Sequence, residues 1–363
     1  MENAPEPDAA ASAASPPPPP PGEASHRRRR IILILGVLLA LTVGGAALAY
    51  LLAPPRPGAP ATGGVELPAA APSTPASPAP STPTPSPKPR PVAVNILLVG
   101  SDSRVNARAA AAAGTASDQR GDALVFIHLP ANRQGVYGIS IMRDMWVDIP
   151  GHGKAKINLA LALGGLPLMA QTVQALFGQH IDHTVMLDFQ GFAALTDALG
   201  GVDVDIKQPF TGTVDDRVHF AAGVNRLNGV QALAFVRERH AFADGDYQRV
   251  RNQQTFLKAV MAKMAAESRL TDPATVRKLI KTVLPHVTLD RSFTPASLED
   301  LVFSLRGAAP GRGVFFTLPT AGTGFSADGQ SIVLPDKSGI AAVSAALAAG
   351  RLPQYAAVHR LGN

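Results

Sequence analysis

"VNILLVGSDSR", residues 94–104, decides how the chain is read. Its aliphatic run, apolar at consecutive positions, is the pattern of a strand covered on both faces, and it stops at a Gly-Ser-Asp-Ser-Arg turn. Two similar runs follow closely, "ALVFIHL" (123–129) and "GVYGISIM" (135–142). "HTVMLDF" (183–189) and "VDVDI" (202–206) read as further strands, and "GVFFTLP" (313–319) as the last one. Helical patterns fill the intervals. They cover "LALALGGLPLMAQTVQALFG" (159–178), interrupted by Gly164, Gly165 and Pro167, then "GFAALTDALGG" (191–201) and most of residues 228–306. This alternation predicts an α/β fold, an α/β/α layered domain with a central mixed sheet, over residues 92–351, with 352–363 as a C-terminal tail. No internal repeat or second domain boundary is evident.

Outward from that core the composition changes. Residues 1–30 are Pro/Ala-rich, cannot pack a core, and end in four arginines at 27–30. Residues 31–53, "IILILGVLLALTVGGAALAYLLA", carry no charge and would extend about 35 Å as a helix, enough to cross a bilayer. A cleaved signal peptide is the alternative, with "ALA" at 47–49 as the processing site, but the run exceeds the usual apolar region of such peptides. The arginines before the span place the N-terminus in the cytoplasm and everything after residue 53 outside, in a single-pass protein of the cell membrane. Residues 54–91 are a Pro-rich extracytoplasmic linker.

There is no cysteine, which excludes disulfides and thiolate zinc sites. Of the formal charge of +6, residues 92–363 carry +4. That mild excess, with no recognition-helix or stacking-aromatic signature, argues for a local anion site and against nucleic acid.

Four constellations bear chemistry. The strand ending at Gly100 delivers Asp102 to the carboxyl edge of the sheet, where ligands collect; its alternative is an Asx turn. "DQRGD" puts Arg120 and Asp122 at the mouth of the next strand. Asp102 and Asp122 could share a hard cation such as Mg²⁺, whereas a surface Arg–Asp pair is the bland reading. Strand 135–142 runs directly into Arg143-Asp144, with Lys156 and Asn158 in the Gly-rich loop beyond, where a solvated lysine is the simpler reading. Lastly, "VRERHAFADGDYQRVRNQQ" (236–254) sets four arginines into nineteen positions. Asp246, Arg249 and Gln253 share one face of a helix starting near Asp246, while Arg251 points elsewhere. Arg237, Arg239 and Arg249 make a cradle for phosphate oxygens, against the alternative of a solvated amphipathic helix. The pairs "HIDH" (180–183) and "DGD" (244–246) lack the partners of a metal site, Trp146 reads as packing, and Ser101 and Ser103 have no evident base.

With these motifs assembled, the chain resembles the LytR-CpsA-Psr family of membrane-anchored cell-envelope phosphotransferases. The resemblance runs through "NILLVGSDSR", "RGDALVFIHL", "ISIMRDMWVDIPG", "KINLALALGG", "IDHTVMLDFQGFAALTDALGGVDV", "LNGVQALAFVRER" and "DYQRVRNQQ", in family order. It implies transfer of a glycopolymer from a polyprenyl-pyrophosphate carrier to a peptidoglycan hydroxyl as a phosphodiester. A polyprenyl-pyrophosphate hydrolase, and a non-catalytic anchored module binding carrier lipid or wall polymer, are the alternatives. Carried over by motif, Asp102 and Asp122 resemble the Mg²⁺ ligands, and Arg120, Arg143, Arg237, Arg239, Arg249 and Gln253 the pyrophosphate binders. Asp144 and Asp246 match acidic positions that orient neighbouring arginines, and Lys156 joins the substrate-binding set. An apolar channel for the prenyl chain is implied, with stretches 159–177 and 192–199 as contributors or as plain core. Two departures stand out: Gly121 and Ala123 replace the family's Ser and Thr, and residues 105–119 are an insertion that reads as a long mobile loop at the site entrance.

Overall fold

Strand runs with no polar alternation must be covered on both sides, and a computed structural model places them at the centre of three layers. It describes residues 92–361 apart from 103–104, 134, 214–216, 267–281, 283, 291 and 294–312. The cytoplasmic tail, membrane span and linker expected from sequence lie outside the described residues.

The chain begins with β1 (Val94–Ser101), α1 (Val105–Ala113), β2 (Ala123–Leu129), β3 (Val136–Ile141) and a hairpin of β4 (Trp146–Ile149) with β5 (Gly153–Lys156). It continues with α2 (Leu159–Phe177), β6 (His183–Asp188), α3 (Phe189–Ala198) and β7 (Val202–Ile206), then short β8 (Phe210–Thr211), β9 (His219–Phe220) and β10 (Gly223–Leu227). Helices α4 (Gly229–Arg237) and α5 (Asp246–Ala266) follow, then β11 (Val287–Leu289), β12 (Gly313–Thr317), a hairpin of β13 (Thr320–Phe325) with β14 (Ser331–Pro335), α6 (Lys337–Ala348) and α7 (Leu352–Val358).

Six strands form the central sheet in the order β11-β6-β1-β2-β3-β12. β1 runs parallel to β6 and antiparallel to β2, β2 antiparallel to β3, and β3 parallel to β12, so the sheet is mixed as expected. Alternate residues sort to opposite faces. Ile96, Leu98, Val125 and Leu187 pack with Phe235 and Phe256 of α4 and α5 on one side. Leu97, Val99, Phe126 and Met186 pack with Met169 and Phe177 of α2 on the other, where α6 and α7 also dock. Each fully buried side chain of this size contributes about 1.5–3 kcal/mol, which holds the layers together without a disulfide.

The antiparallel turn from β1 to β2 fixes where the chemistry lies. Gly100 pairs with Ala123, so Asp102 just past β1 and Asp122 just before β2 fall at one end of the sheet. The carboxyl ends of β3 and β6 reach that same end, because Ile141 pairs with Leu124 and Asp188 with Ser101.

Several expectations need correction. Within the 105–119 insertion, residues 105–113 are helical, as an alanine-rich segment favours. The helix docks where α2 is broken at Gly164 and Gly165: Ala111 is fully buried, and Ser117 donates its backbone N–H to Ala162 O (2.8 Å). Gly165 has φ +61, and a Cβ there would sit 2.3 Å from Ala111 O, so only glycine admits the contact. A strand, β11, lies inside the stretch read as helical and forms the sheet edge against β6. Nor is 313–319 the last strand: a hairpin and two helices follow, and the expected tail from 352 contains α7, with Leu352 and Ala356 buried.

Candidate functional site

Between the sheet end and helices α3, α4 and α5 lies a cavity of about 290 Å³. Its mouth is polar and its interior is not. Asp102, Asp122, Arg143, Arg237, Arg239 and Arg249 line the first part, with Gln253 and His240; Leu98, Val125, Phe192, Leu233, Phe256 and Val260 are among those lining the second.

The arginines converge because three elements end together: β3 hands over Arg143, the last turn of α4 carries Arg237, and the first turns of α5 carry Asp246 and Arg249. α5 is pinned to the end of α4 by side-chain amides. Asn252 donates to Phe235 O (3.1 Å) and Gln253 to Val236 O (3.3 Å), satisfying carbonyls that a helix end leaves open. Gln254, the neighbour of Gln253, turns the other way and donates to Ser140 Oγ and Thr317 Oγ1 in the sheet. At the far end of α4, the backbone of Gly229 meets Ala193 so closely that a Cβ would lie 2.4 Å from its carbonyl oxygen, which brings α3 and α4 together as one cavity wall.

Asp246 is the hub beneath the arginines. Its carboxylate accepts from Arg143 Nε (3.2 Å) and Arg249 Nη2 (3.1 Å) and lies 3.6 Å from Arg239 Nη1. Burial opposes its charge, but Arg249, Arg143 and Arg239 outweigh that and hold its pKa below the usual carboxylate range. Arg143 also donates to Asp122 Oδ1 (2.7 Å), and Asp144 stands 3.7 Å from its Nε. Burial works against the Arg143 charge too, yet Asp246, Asp122 and Asp144 together raise its pKa. For Arg249 the balance is reversed: it is 6% exposed, and burial with repulsion from Arg143 and Arg239 lowers its pKa despite Asp246. Among the described residues its buried Nε donor has no hydrogen-bond partner.

Of the residues singled out in the sequence, Asp102, Asp122, Arg143, Arg237, Arg239, Arg249 and Gln253 line the one cavity. Asp144 and Asp246 are not in the lining and contact the arginines from outside it, Asp144 at Arg143 and Asp246 at Arg143, Arg239 and Arg249. Lys156 does not reach the lining: it pairs with Asp144 at 3.5 Å. Arg120 is exposed and outside it as well, because it precedes the strand while the chain turns inward only at buried Gly121. Arg251 is outside, paired with Asp244. Of the two stretches offered for an apolar channel, 192–199 contributes Phe192 and Leu195, while 159–177 is α2 on the opposite face of the sheet and belongs to the core.

Sequence reasoning missed three features. Phe256, Leu257 and Val260 continue, at helical spacing, the face begun by Arg249 and Gln253, a signal that was present. Glu238, fully buried between the two arginines of "RER", accepts the backbone N–H groups of Arg239 (2.8 Å), His240 (2.7 Å) and Ala241 (3.0 Å) and the hydroxyl of Thr213 (2.9 Å). It thereby shapes the turn that presents Arg239 and His240. Asp188, at the carboxyl end of β6, also lines the mouth.

As for a metal, Asp102 and Asp122 are oxygen donors at one cavity mouth, and the Arg143 bond falls on Oδ1 of Asp122. Among the described residues no cluster of three or more His, Cys, Asp or Glu is present. One or two carboxylates with water and phosphate oxygens completing the shell is a usual manner of binding Mg²⁺, and the donor chemistry of the pair suits such an ion.

Comparison with known proteins bears on the fold and the family. A polyisoprenyl-teichoic acid–peptidoglycan teichoic acid transferase, TagU, from Bacillus cereus is 35% identical over 199 residues, covering 54% of this chain and 61% of that protein. A Corynebacterium glutamicum protein named as probable cell wall biosynthesis protein LcpB is 32% identical over 216 residues, covering 58% of this chain and 51% of the relative. The chain thus spans less than two thirds of the length of these relatives. Among solved structures, Bacillus subtilis TagV superposes with a TM-score of 0.59 at 24% identity, covering 72% of this chain and 98% of that one. TagT bound to LI-WTA superposes at 0.55 with 24% identity, covering 70% and 89% respectively; at such identity these share the fold. The LytR_cpsA_psr family model matches residues 74–349, and by that match the chain belongs to the LytR-CpsA-Psr family.

Proposed function

We propose that the protein is a membrane-anchored phosphotransferase that moves a glycopolymer from a polyprenyl-pyrophosphate carrier to a peptidoglycan hydroxyl. The observation that carries this reading is the two-part cavity: a mouth lined by Arg143, Arg237, Arg239 and Arg249 opening into an aliphatic and aromatic interior. A diphosphate attached to an isoprenoid chain has the same two parts. The names of the relatives, a teichoic acid–peptidoglycan transferase and a cell wall biosynthesis protein, supply the donor and acceptor classes. The polymer on this carrier is assigned only as a cell-wall glycopolymer. The charge-free run at 31–53 behind four arginines anchors the chain, with the N-terminus cytoplasmic and the catalytic domain outside.

The arginines hold the diphosphate oxygens with charge-assisted hydrogen bonds, and buried Arg249 presents its unpartnered Nε to one of them. Asp102 and Asp122 would hold Mg²⁺, which when bound neutralises phosphate oxygens and steadies them for displacement. The acceptor hydroxyl oxygen bonds to the sugar-linked phosphorus. The bond from that phosphorus to the bridging oxygen breaks, and polyprenyl phosphate leaves while the acceptor proton passes to solvent or a basic group. Such transfer depends on positioning and on neutralising charge, and a cavity lined with preset cations supplies both.

The test uses the full chain in detergent or liposomes, with a polyprenyl-pyrophosphate glycan and peptidoglycan oligomers. Phosphodiester-linked product is expected, dependent on Mg²⁺ and abolished in Arg237→Ala and Asp102→Ala. Full activity in either variant refutes the site. Release of the phosphoglycan to water in the presence of acceptor makes the enzyme a hydrolase, and tight lipid binding without turnover makes it a binding module.

A further inference from the structure

Asp188 poses a problem for a site built to attract anions. Its carboxylate is 3% exposed, lines the cavity mouth and lies beside Ser101, one residue from Asp102. It is there because it caps α3: Oδ1 accepts the Gly191 N–H at 2.7 Å, a bond whose loss typically costs about 1 kcal/mol. That helix supplies Phe192 and Leu195 to the apolar wall. A buried carboxylate facing the diphosphate would repel it unless something cancelled the charge.

Arg108 does so. It belongs to α1, the inserted segment, and its Nη1 lies 3.0 Å from Asp188 Oδ2, with both side chains largely buried. The same nitrogen donates to Pro285 O on the turn before β11. His286 Nδ1 stands 3.8 Å from Asp188 Oδ1, beyond hydrogen-bond distance, so the close contact is the one made by Arg108.

We propose that Arg108 is a positioning residue for the diphosphate substrate: by neutralising Asp188 it renders that side of the cavity mouth tolerant of an anion, so the insertion helix is part of the substrate site. The fixed dock of α1 against Gly165 is what brings the guanidinium there. This inference rests on the diphosphate reading above.

The experiment measures binding of inorganic pyrophosphate and of a short prenyl diphosphate to the full chain by calorimetry, with thermal melting alongside. Arg108→Ala should weaken both ligands by about tenfold or more, because it leaves the Asp188 charge buried and uncompensated. Asp188→Asn keeps a helix-capping oxygen without the charge and should bind at least as tightly as wild type. The decisive variant is the double substitution, expected to return affinity to within about twofold of wild type. Should Arg108→Ala fold poorly, Arg108→Met keeps the stem and removes only the charge. A defect that Asp188→Asn fails to repair, or wild-type affinity in Arg108→Ala, overturns the proposal while leaving the function intact. Wild-type protein that binds no diphosphate overturns both.

Discussion

Replacing Asp246 by Asn keeps the shape of the hub and removes its charge. Three guanidinium contacts, at 3.2, 3.1 and 3.6 Å, then lose their common counter-ion. Deleting one partner of a fully buried ion pair costs about 3–5 kcal/mol; with the Asp246 side chain 17% exposed, about 2–3 kcal/mol is the fitting figure. For a domain of this size that lowers the melting temperature by roughly 4–12 °C. The arginines left facing one another should then take a new counter-ion eagerly, so inorganic pyrophosphate should raise the melting temperature of Asp246→Asn by more than it raises that of wild type. The effect has a pH signature. The folded pKa of Asp246 is depressed, so its stabilisation is present above the unfolded carboxylate value and is lost as pH falls through the folded one. The gap between wild type and variant should therefore be full at pH 7 and shrink progressively as pH falls below about 4 toward the depressed folded value. Thermal melts at both pH values, with and without pyrophosphate, make the measurement. An unchanged melting temperature at pH 7, or a ligand shift no larger than that of wild type, would refute the claim that Asp246 organises the arginines.

Glu238→Gln should destabilise the fold by about 2 kcal/mol, since several backbone and hydroxyl donors lose a charged acceptor, and should lower turnover about tenfold by loosening Arg239. Denaturant unfolding and steady-state rates check it; wild-type turnover would show that the turn does not position that arginine. Leu233→Trp should fill the apolar part of the cavity and cut binding of a long prenyl diphosphate by at least about tenfold, while leaving inorganic pyrophosphate within about twofold. Equal loss of both ligands would mean that the interior does not hold the chain. Burial, then Arg133, with Asp182 opposing, hold His128 down to about 4 from 6.5. Between those values the unfolded chain binds the proton and the folded one does not. Wild type should therefore lose up to about 3 kcal/mol as pH falls from 6.5 to 4, a loss that His128→Asn lacks. Parallel slopes of stability against pH for the two proteins would contradict that.

The sheet was legible because its strands are buried on both faces and carry a pattern that local chemistry fixes. The placing of β6 beside β1 was not, since it pairs His183 with the distant Ile96, whereas β2 and β3 are joined by a short connection. β11 escaped notice because a three-residue edge strand is too short to show a period. The insertion was misread for a different reason: alanine favours helix, but a nine-residue helix is unstable alone and depends on its dock at the α2 break, which only the tertiary contact with Gly165 reveals. In the site, residues carrying charge at strand ends were found by position. Lys156 and Arg120 had the right charge and proximity in sequence, yet one is engaged by Asp144 and the other is exposed. The interior of the cavity was hidden because aliphatic residues read the same whether they face a core or a ligand. Only the separation of α3, α4 and α5 from the sheet end distinguishes Phe192 and Val260 from the α2 residues.

The acidic residues around the mouth resolve an apparent contradiction in its design. An anion site would gain from cations alone, yet Arg143, Arg239 and Arg249 packed together without Asp246 would repel one another and scatter. Asp246 sets them at fixed spacing before any ligand arrives, so little reorganisation accompanies binding. It does so from beneath, through Arg249 Nη2, and leaves the Nε of that guanidinium outside the pair. Arg108 and Asp188 apply the same principle with the charges exchanged: there the carboxylate is required by the helix and the guanidinium makes it harmless. The net charge of the mouth is therefore less informative than the layering of its charges, with Asp144 and Asp246 behind the arginines they orient and Arg108 against the buried Asp188.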